Sequence, residues 1–310
     1  MQVSVLLATY RRPESLAQTL TAMARMATAD LAWELIVVDS AREEATRRVC
    51  QSFSSRLPLR YFLSSRPGQN AARNRGLKEV TGDLVVLSDD DVLPDRAWLR
   101  EMYQGAQRWS EHVLFGGRIL PQWPGPAPAY EIEPGFGRWA YGICNPDLPE
   151  GPAPSFLPIS MNMAIRHRVF KSGVTFDESI GPRGKNYAMG SETEFNLRLR
   201  RLGYAAVFLP GSVVHNVIRP WQMESSYLIS RAFRQGRGEI RVQAPISWYE
   251  MARLTKQALG ATRAYCSARL WHGQLAAFRP GISFSLASGR LYEAWRLRLG
   301  LGRLVDCLRR

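Results

Sequence analysis

At 310 residues the chain is long enough for one large domain or a domain plus a tail, and its 45% apolar content is ordinary for a globular protein. No run approaches the roughly 20 apolar residues of a membrane-spanning helix, and Cys50, Cys144, Cys266 and Cys307 form no CxxC pair, which excludes a zinc knuckle or disulfide framework. The formal charge of +14 is uneven: residues 1–218 carry 25 Lys and Arg against 22 Asp and Glu, whereas 219–310 carry 16 against 5. A tail of that composition suits a polyanionic surface, either anionic lipid or nucleic acid. The isolated cysteines suit a reducing cytoplasm, and the immediate strand-like start predicts no signal peptide.

In chain order, Val3 to Ala8 reads as a buried first strand, followed by a loop Thr9-Tyr10-Arg11-Arg12-Pro13. Ser15 is the expected N-cap of a helix reaching Met26, with Leu16, Leu20 and Met23 as its apolar stripe. Leu35 to Val38 forms a second buried strand ending in Asp39, then a polar helix runs to Phe53 and a third strand covers Leu59–Leu63. Gln69 to Val80 is helical in pattern, and Ala97 to Trp109 again after it, with a strand at Val113–Leu120. Strands alternating with helices predict a mostly parallel, Rossmann-like sheet flanked by helices.

Between those last two helices lies Leu84 to Leu87, a short apolar run that discharges into Asp89, Asp90 and Asp91 before Pro94 ends it. Three adjacent carboxylates repel one another unless something positive sits among them. At the carboxyl end of a parallel strand, where open α/β sheets bind ligands, they predict a hard-cation site completed by substrate phosphates, against the plainer reading of a solvated acidic turn.

Residues 121–158 hold 10 of the 19 prolines and read as a long functional loop. Ser160–Arg166 resumes a strand, Gly181 to Gly190 is a Gly-rich loop, Glu192–Leu202 a helix, Ala205–Leu209 a strand, and Val213-Val214-His215 a further extended piece. The organisation expected is a catalytic domain over 1–218, in halves 1–120 and 121–218, and a basic helical region over 219–310. In that region Met251, Leu254, Ala258, Ala261, Tyr265 and Ala268 share one helical stripe with Arg253, Lys256, Arg263 and Arg269 off it. Leu297, Leu301, Leu304, Val305 and Leu308 repeat the pattern. Such stripes serve either core packing or, beside the arginines and Trp248, Trp271 and Trp295, membrane contact.

Six stretches, each occurring once, stand in a telling order: Val-Leu-Leu-Ala-Thr-Tyr-Arg-Arg-Pro (5–13), Leu-Ile-Val-Val-Asp-Ser (35–40), Ala-Ala-Arg-Asn-Arg-Gly-Leu (71–77), Ser-Asp-Asp-Asp (88–91), Met-Asn-Met-Ala (161–164) and Gly-Ser-Glu-Thr-Glu-Phe (190–195). Together they resemble the family 2 glycosyltransferases, inverting enzymes of the GT-A fold, over roughly Val3 to Arg237. The resemblance implies that Thr9, Arg11 and Arg66 contact the nucleotide sugar. Asp39 would accept from a pyrimidine ring nitrogen, and Arg73, near the start of its helix, would lie by base and diphosphate. Asp89 becomes the ribose contact, with the metal, Mg2+ or Mn2+, shared between Asp90 and Asp91 and joined by His215. Asn162 and Trp221 would serve the acceptor, and Arg231 and Arg234 the diphosphate.

The resemblance places a general base in the last motif, where Glu192 stands at the position usually held by aspartate; Glu194 is the alternative. The expectation is a metal-dependent inverting glycosyltransferase taking a UDP- or dTDP-linked sugar to a saccharide or lipid-linked acceptor in surface polysaccharide synthesis. It would work in the cytoplasm at the inner face of an anionic membrane, without nucleic acid. A nucleotidyltransferase would need a Gly-rich loop after the first strand, which Leu-Leu-Ala-Thr-Tyr-Arg-Arg-Pro lacks. A nucleic-acid-binding protein would spread its basic excess over the sheet domain rather than the tail.

Overall fold

The computed structural model describes residues 2–128, 134–184, 187–271 and 273–300. The chain forms two compact units, one of Met1–Ser179 with Glu192–Arg219, the other of Ile180–Ser191 with the chain from Pro220 onward. The stretch 180–191, expected in the catalytic domain, therefore belongs with the tail. Met189 N–H donates to the Arg234 carbonyl at 3.0 Å, and Gly238 packs so closely on the Met189 carbonyl that a Cβ there would collide with it.

The first unit is built on a sheet of nine strands: β1 (Val3–Thr9), β2 (Trp33–Asp39), β3 (Leu59–Leu63), β4 (Leu84–Asp89), β5 (Val92–Pro94), β6 (Leu114–Gln122), β7 (Gly151–Pro152), β8 (Met163–Arg166) and β9 (Ala206–Val217). Their order is β3-β2-β1-β4-β8-β6-β9-β5, with β7 on β9. β1, β2, β3 and β4 run parallel, as do β6 and β9, while β8, β5 and β7 run antiparallel to their neighbours. Val3, Val5, Leu7, Leu35–Val38 and Leu84–Leu87 are fully buried, the continuous apolar signature of strands covered on both faces. The two extended pieces expected after residue 205 are one strand, β9.

Helices α1 (Pro13–Met23), α2 (Glu44–Phe53), α3 (Gln69–Leu77), α4 (Trp98–Arg108), α5 (Pro134–Tyr141), α6 (His167–Lys171) and α7 (Ser191–Arg201) follow in sequence. α1 starts two residues before the expected cap. Pro13 sits at its first position, where a missing N–H costs nothing, so Arg12 becomes the N-cap residue and Ser15 falls inside the helix. Gly76 lets α3 lie close on β1 and β2, since a Cβ there would strike Leu6 and Val38. That close approach carries Arg73, also on α3, into the interior. The proline-rich stretch 121–158 is less irregular than its composition suggests, holding the end of β6, α5 and β7.

The second unit is helical: α8 (Ser225–Gln243), α9 (Trp248–Trp271), α10 (Gly273–Ala276) and α11 (Phe278–Arg298). Ser247 and Glu250 cap α9 reciprocally, Glu250 Oε2 accepting from Ser247 N–H at 2.8 Å and Ser247 Oγ from Glu250 N–H at 3.2 Å. The stripe Met251, Leu254, Ala258 and Ala268 is buried, and Met251 and Leu254 pack with Ile240 and Ala294. This stripe is core. Of the second predicted stripe, residues 301–310 lie outside the described residues.

Candidate active site

The register of the parallel strands brings their carboxyl ends to one rim, with Ala8 beside Asp89 and Thr9 beside Asp39. The three aspartates meet arginines there. Arg12 Nη1 donates to Asp90 Oδ1 at 3.1 Å and to Asp91 Oδ2 at 3.0 Å, and Arg219 lies 3.6 Å from Asp91. Thr9 Oγ1 donates to Asp90 Oδ2 at 2.7 Å. Asp90 is therefore buried with both oxygens engaged, while Asp89 and Asp91 keep some exposure at the rim.

Arg73 is the hub of the neighbouring network. Its buried guanidinium donates through Nη2 to Asp89 Oδ1 at 3.1 Å and to Ser160 Oγ at 2.6 Å. Ser160 Oγ in turn donates a hydrogen bond to Glu192 Oε1 at 2.7 Å, and Arg73 Nη1 stands 3.6 Å from the same oxygen. Gln69 adds a donor to Asp89 at 2.9 Å. Phe176 lies under the Arg73 guanidinium at 5.7 Å and stacks on Phe195 of α7 at 4.4 Å, which fixes the two sides of the network to each other.

These contacts separate the carboxylates electrostatically. Burial, reinforced by repulsion from Asp91 and Glu192, outweighs Arg73 and pushes Asp89 up to about 6. Burial also raises Asp90 and Asp91, against the pull of Arg12. Burial presses Glu192 upward too, but Arg73, the Ser160 hydrogen bond, a backbone N–H and the charge of Arg138 together hold it below the ordinary carboxylate value. Glu192 is ionised at neutral pH, whereas the aspartates carry an unmet demand for positive charge. An all-oxygen donor set with that demand fits a hard divalent cation held by one or two carboxylates. Among the described residues no three His, Cys, Asp or Glu side chains converge on a common point, so Asp90, Asp91 and His215 do not form a ready-made cage.

The other sequence candidates fall in different places. His215, opposite Leu93 on the β5–β9 pair, has its Nε2 hydrogen-bonded to Asp95 Oδ1 at 3.0 Å. Glu194 is clasped by Arg198 through two bonds of 2.9 Å, an i,i+4 pair on the surface of α7. Asn162, expected to floor the acceptor site, is fully buried: Trp98 Nε1 and Ser212 Oγ donate to its oxygen at 2.9 and 3.1 Å, and its amide donates to the Arg118 and Ser212 carbonyls at 2.8 and 2.9 Å. With two acceptors and two donors satisfied it is a structural tie rather than an acceptor contact.

Asp39 closes its own loop, accepting from Ala41 N–H at 2.7 Å, Glu43 N–H at 2.9 Å and the Tyr61 hydroxyl at 2.9 Å, and is fully buried with one lone pair beyond these three bonds. Thr9 is committed to Asp90. Arg11 is exposed with a positive φ of 52° and lies over Tyr10 at 5.4 Å, and Arg66 pairs with Glu178 at 2.8 Å. In the second unit Trp221 stands edge-on to Tyr227 at 4.9 Å, Arg231 donates to the Tyr227 hydroxyl at 3.1 Å, and Arg234 lies over Tyr187 at 5.3 Å. Arg12, Ser160, Gln69 and Arg219 were not singled out from sequence; Arg12 takes its place at the rim because Pro13 starts α1.

Residues 4–172 match the family described as Glycosyl transferase family 2. The chain belongs to that family. It is 26% identical over 282 residues to the succinoglycan biosynthesis protein ExoM of Rhizobium meliloti, spanning 86% of this chain and 83% of that one. It is 24% identical over 242 residues to the glycosyltransferase AglE of Haloferax volcanii, spanning 77% and 73%. Among solved structures, the mannosyltransferase PcManGT of Pyrobaculum calidifontis with GDP-Man and Mn2+ superposes at a TM-score of 0.63 and 15% identity, covering 95% of this chain and 87% of that one. Residues 1–349 of S. aureus TarS with UDP-GlcNAc superpose at 0.53 and 14%, covering 97% and 92%. This glycosyltransferase has the GT-A fold, and its arginine-bridged aspartate rim lies within the matched family region.

Proposed function

We propose that this glycosyltransferase moves a sugar, with inversion, from a pyrimidine nucleoside diphosphate to a hydroxyl of a saccharide or lipid-linked saccharide. The observation that carries the reading is Glu192: a carboxylate kept ionised by Arg73 and oriented by Ser160 beside the aspartate rim. Glu192 takes the proton of the acceptor hydroxyl as that oxygen attacks the anomeric carbon from the face opposite the departing nucleoside diphosphate. The C–O bond to the diphosphate breaks as the new one forms, and the configuration inverts. Asp91 and Asp89 would hold a divalent cation, whose chemistry is to neutralise charge on the leaving diphosphate. Asp39, a buried carboxylate, keeps one lone pair for a pyrimidine ring N–H, and Arg73 orients both Asp89 and Glu192. The relative bound to GDP-Man and Mn2+ and that bound to UDP-GlcNAc support a nucleotide-sugar donor and a divalent ion. The polysaccharide setting is supported by the likeness to ExoM.

The test is a screen of nucleotide sugars with Mg2+ or Mn2+, reading the nucleoside diphosphate released. The reading expects one pyrimidine donor to turn over, only with the cation. Release that is unaffected by chelator would remove the cation from the mechanism, and release from purine donors alone would remove the role given to Asp39.

A further inference from the structure

The second unit leaves one face of α9 uncovered. The helix buries Met251, Leu254, Ala258 and Ala268, yet positions 248, 252, 259, 266 and 270, which recur by four and seven and so share another face, all point to solvent. Trp248 is 63% exposed, Leu259 57% and Leu270 78%, and the flanking Tyr249 and Trp271 are each 79% exposed. Lys256 and Arg263 sit beside this row, also exposed. Trp295 of α11 meets Trp248 edge-on at 6.3 Å, and the Arg298 guanidinium stacks on Trp248 at 3.6 Å, extending the patch onto a second helix. The 24 residues of α9 make this face about 36 Å long.

The charge around the row has one sign. Arg253, Lys256, Arg263 and Arg269 are the cations of α9, and its one carboxylate, Glu250, is spent on the capping interaction with Ser247. A second copy of the chain laid on this face would set basic flank against basic flank. A nucleic-acid backbone calls for a basic stripe, whereas here the middle of the face is Trp and Leu and the cations border it. Apolar centre, basic border and exposed Trp and Tyr are the attributes of a helix lying in a lipid interface, where long cationic side chains reach the phosphates while rings and leucines enter the acyl boundary. No described helix is long and apolar enough to cross a membrane, so attachment would be in the plane.

We propose that the outward face of α9 docks on an anionic bilayer, inserting Trp248, Leu259 and Leu270 and setting Lys256 and Arg263 at the headgroup phosphates. The inference rests on α9 and α11 and is independent of the reaction assigned to the first unit.

Co-sedimentation of the full chain with vesicles tests it. The parent protein is expected to bind vesicles containing phosphatidylglycerol, to ignore phosphatidylcholine vesicles, and to elute as salt rises. Leu259→Glu/Leu270→Glu and, separately, Lys256→Glu/Arg263→Glu should each lower partitioning about tenfold or more. All four side chains are exposed, so an unchanged melting temperature verifies the fold. No binding by the parent, or equal binding by the leucine variant, overturns the proposal. So does a parent dimer in light scattering that the leucine variant splits without any lipid binding.

Discussion

Two charge clusters in this molecule use the same side chains in opposite proportions. In the first unit Asp89, Asp90, Asp91 and Glu192 share only three arginines at ion-pair distance, Arg12, Arg73 and Arg219, so carboxylates outnumber their direct partners. In the second unit Glu293, with no exposed surface, accepts from Arg237 at 2.7 Å, Arg241 at 2.6 Å and Arg296 at 2.7 Å. A lone carboxylate held by three guanidinium groups has every lone pair in demand and nothing to offer a ligand. Carboxylates in excess, by contrast, push one another and Asp89 towards protonation and are relieved by any arriving cation. Ion pairs of one kind thus serve as a fastener in one place and as a binding site in the other, and the ratio of charges decides which.

The comparison breaks most visibly if the two glutamates are interchanged in effect. Glu192→Gln keeps shape and loses basicity, so turnover should fall by about two to four decades while thermal stability stays near that of the parent. Initial rates with the donor found by screening, beside a melting curve, check this. A variant that turns over normally would remove Glu192 as the base.

Glu293→Ala should do the reverse. Removing the shared acceptor takes away the carboxylate that all three guanidinium groups share and leaves a buried hole, at a cost of about 3–5 kcal/mol. Urea unfolding of the full chain should show the loss. A midpoint unchanged from the parent would mean that solvent satisfies those arginines and that Glu293 is no fastener.

Much of this was legible in the sequence, because local composition decides it. Leu84 to Leu87 had to be buried on both faces, and the aspartates that follow had to emerge at the strand's carboxyl end. The motif offered Glu192 and Glu194 as alternatives, and it is Glu192 that meets Ser160 and Arg73. What could not be read is what depends on contacts distant in sequence. Arg11 and Arg12 are equivalent on paper, and only Pro13 at the start of α1 turns Arg12 onto Asp90 and Asp91. Ser160 is 32 residues from Glu192 and 87 from Arg73, so nothing local marks it. The stripe on α9 is visible in the sequence because its spacing is helical, but Leu259 and Leu270 carry no local sign that nothing among the described residues of the unit covers them.

Asn162 offers a sharper distinction between fastener and site. Its side chain satisfies Trp98, Ser212 and the Arg118 carbonyl, so Asn162→Ala would leave several buried polar groups without partners. The expected loss is about 2–3 kcal/mol of stability, measured by denaturant, with the KM for acceptor unchanged in the folded fraction. A raised acceptor KM at unaltered stability would return Asn162 to the acceptor site.

The smallest effect is expected at Ser160, and it tests how the network keeps its base ionised. The hydroxyl accepts from Arg73 and donates to Glu192, so it both orients the carboxylate and favours its charged form. Glu192 lies below the ordinary carboxylate value in the folded protein, and the resulting activity is therefore retained as pH falls past that value and lost only lower. Ser160→Ala removes one stabilising bond to the charged form, so the acid limb of kcat/KM should move upward in pH. At neutral pH, where Glu192 is ionised in both proteins, the remaining loss is one of orientation: about fivefold, the equivalent of roughly 1 kcal/mol. Ser160→Thr keeps the hydroxyl and should restore the parent limb. A purely structural role for Ser160 would lower the rate by one factor at every pH, leaving the limb in place and gaining nothing from threonine. If Glu192→Gln is inactive and the Ser160→Ala limb is unmoved, the base assignment stands and Arg73, the backbone N–H and Arg138 set its charge without Ser160.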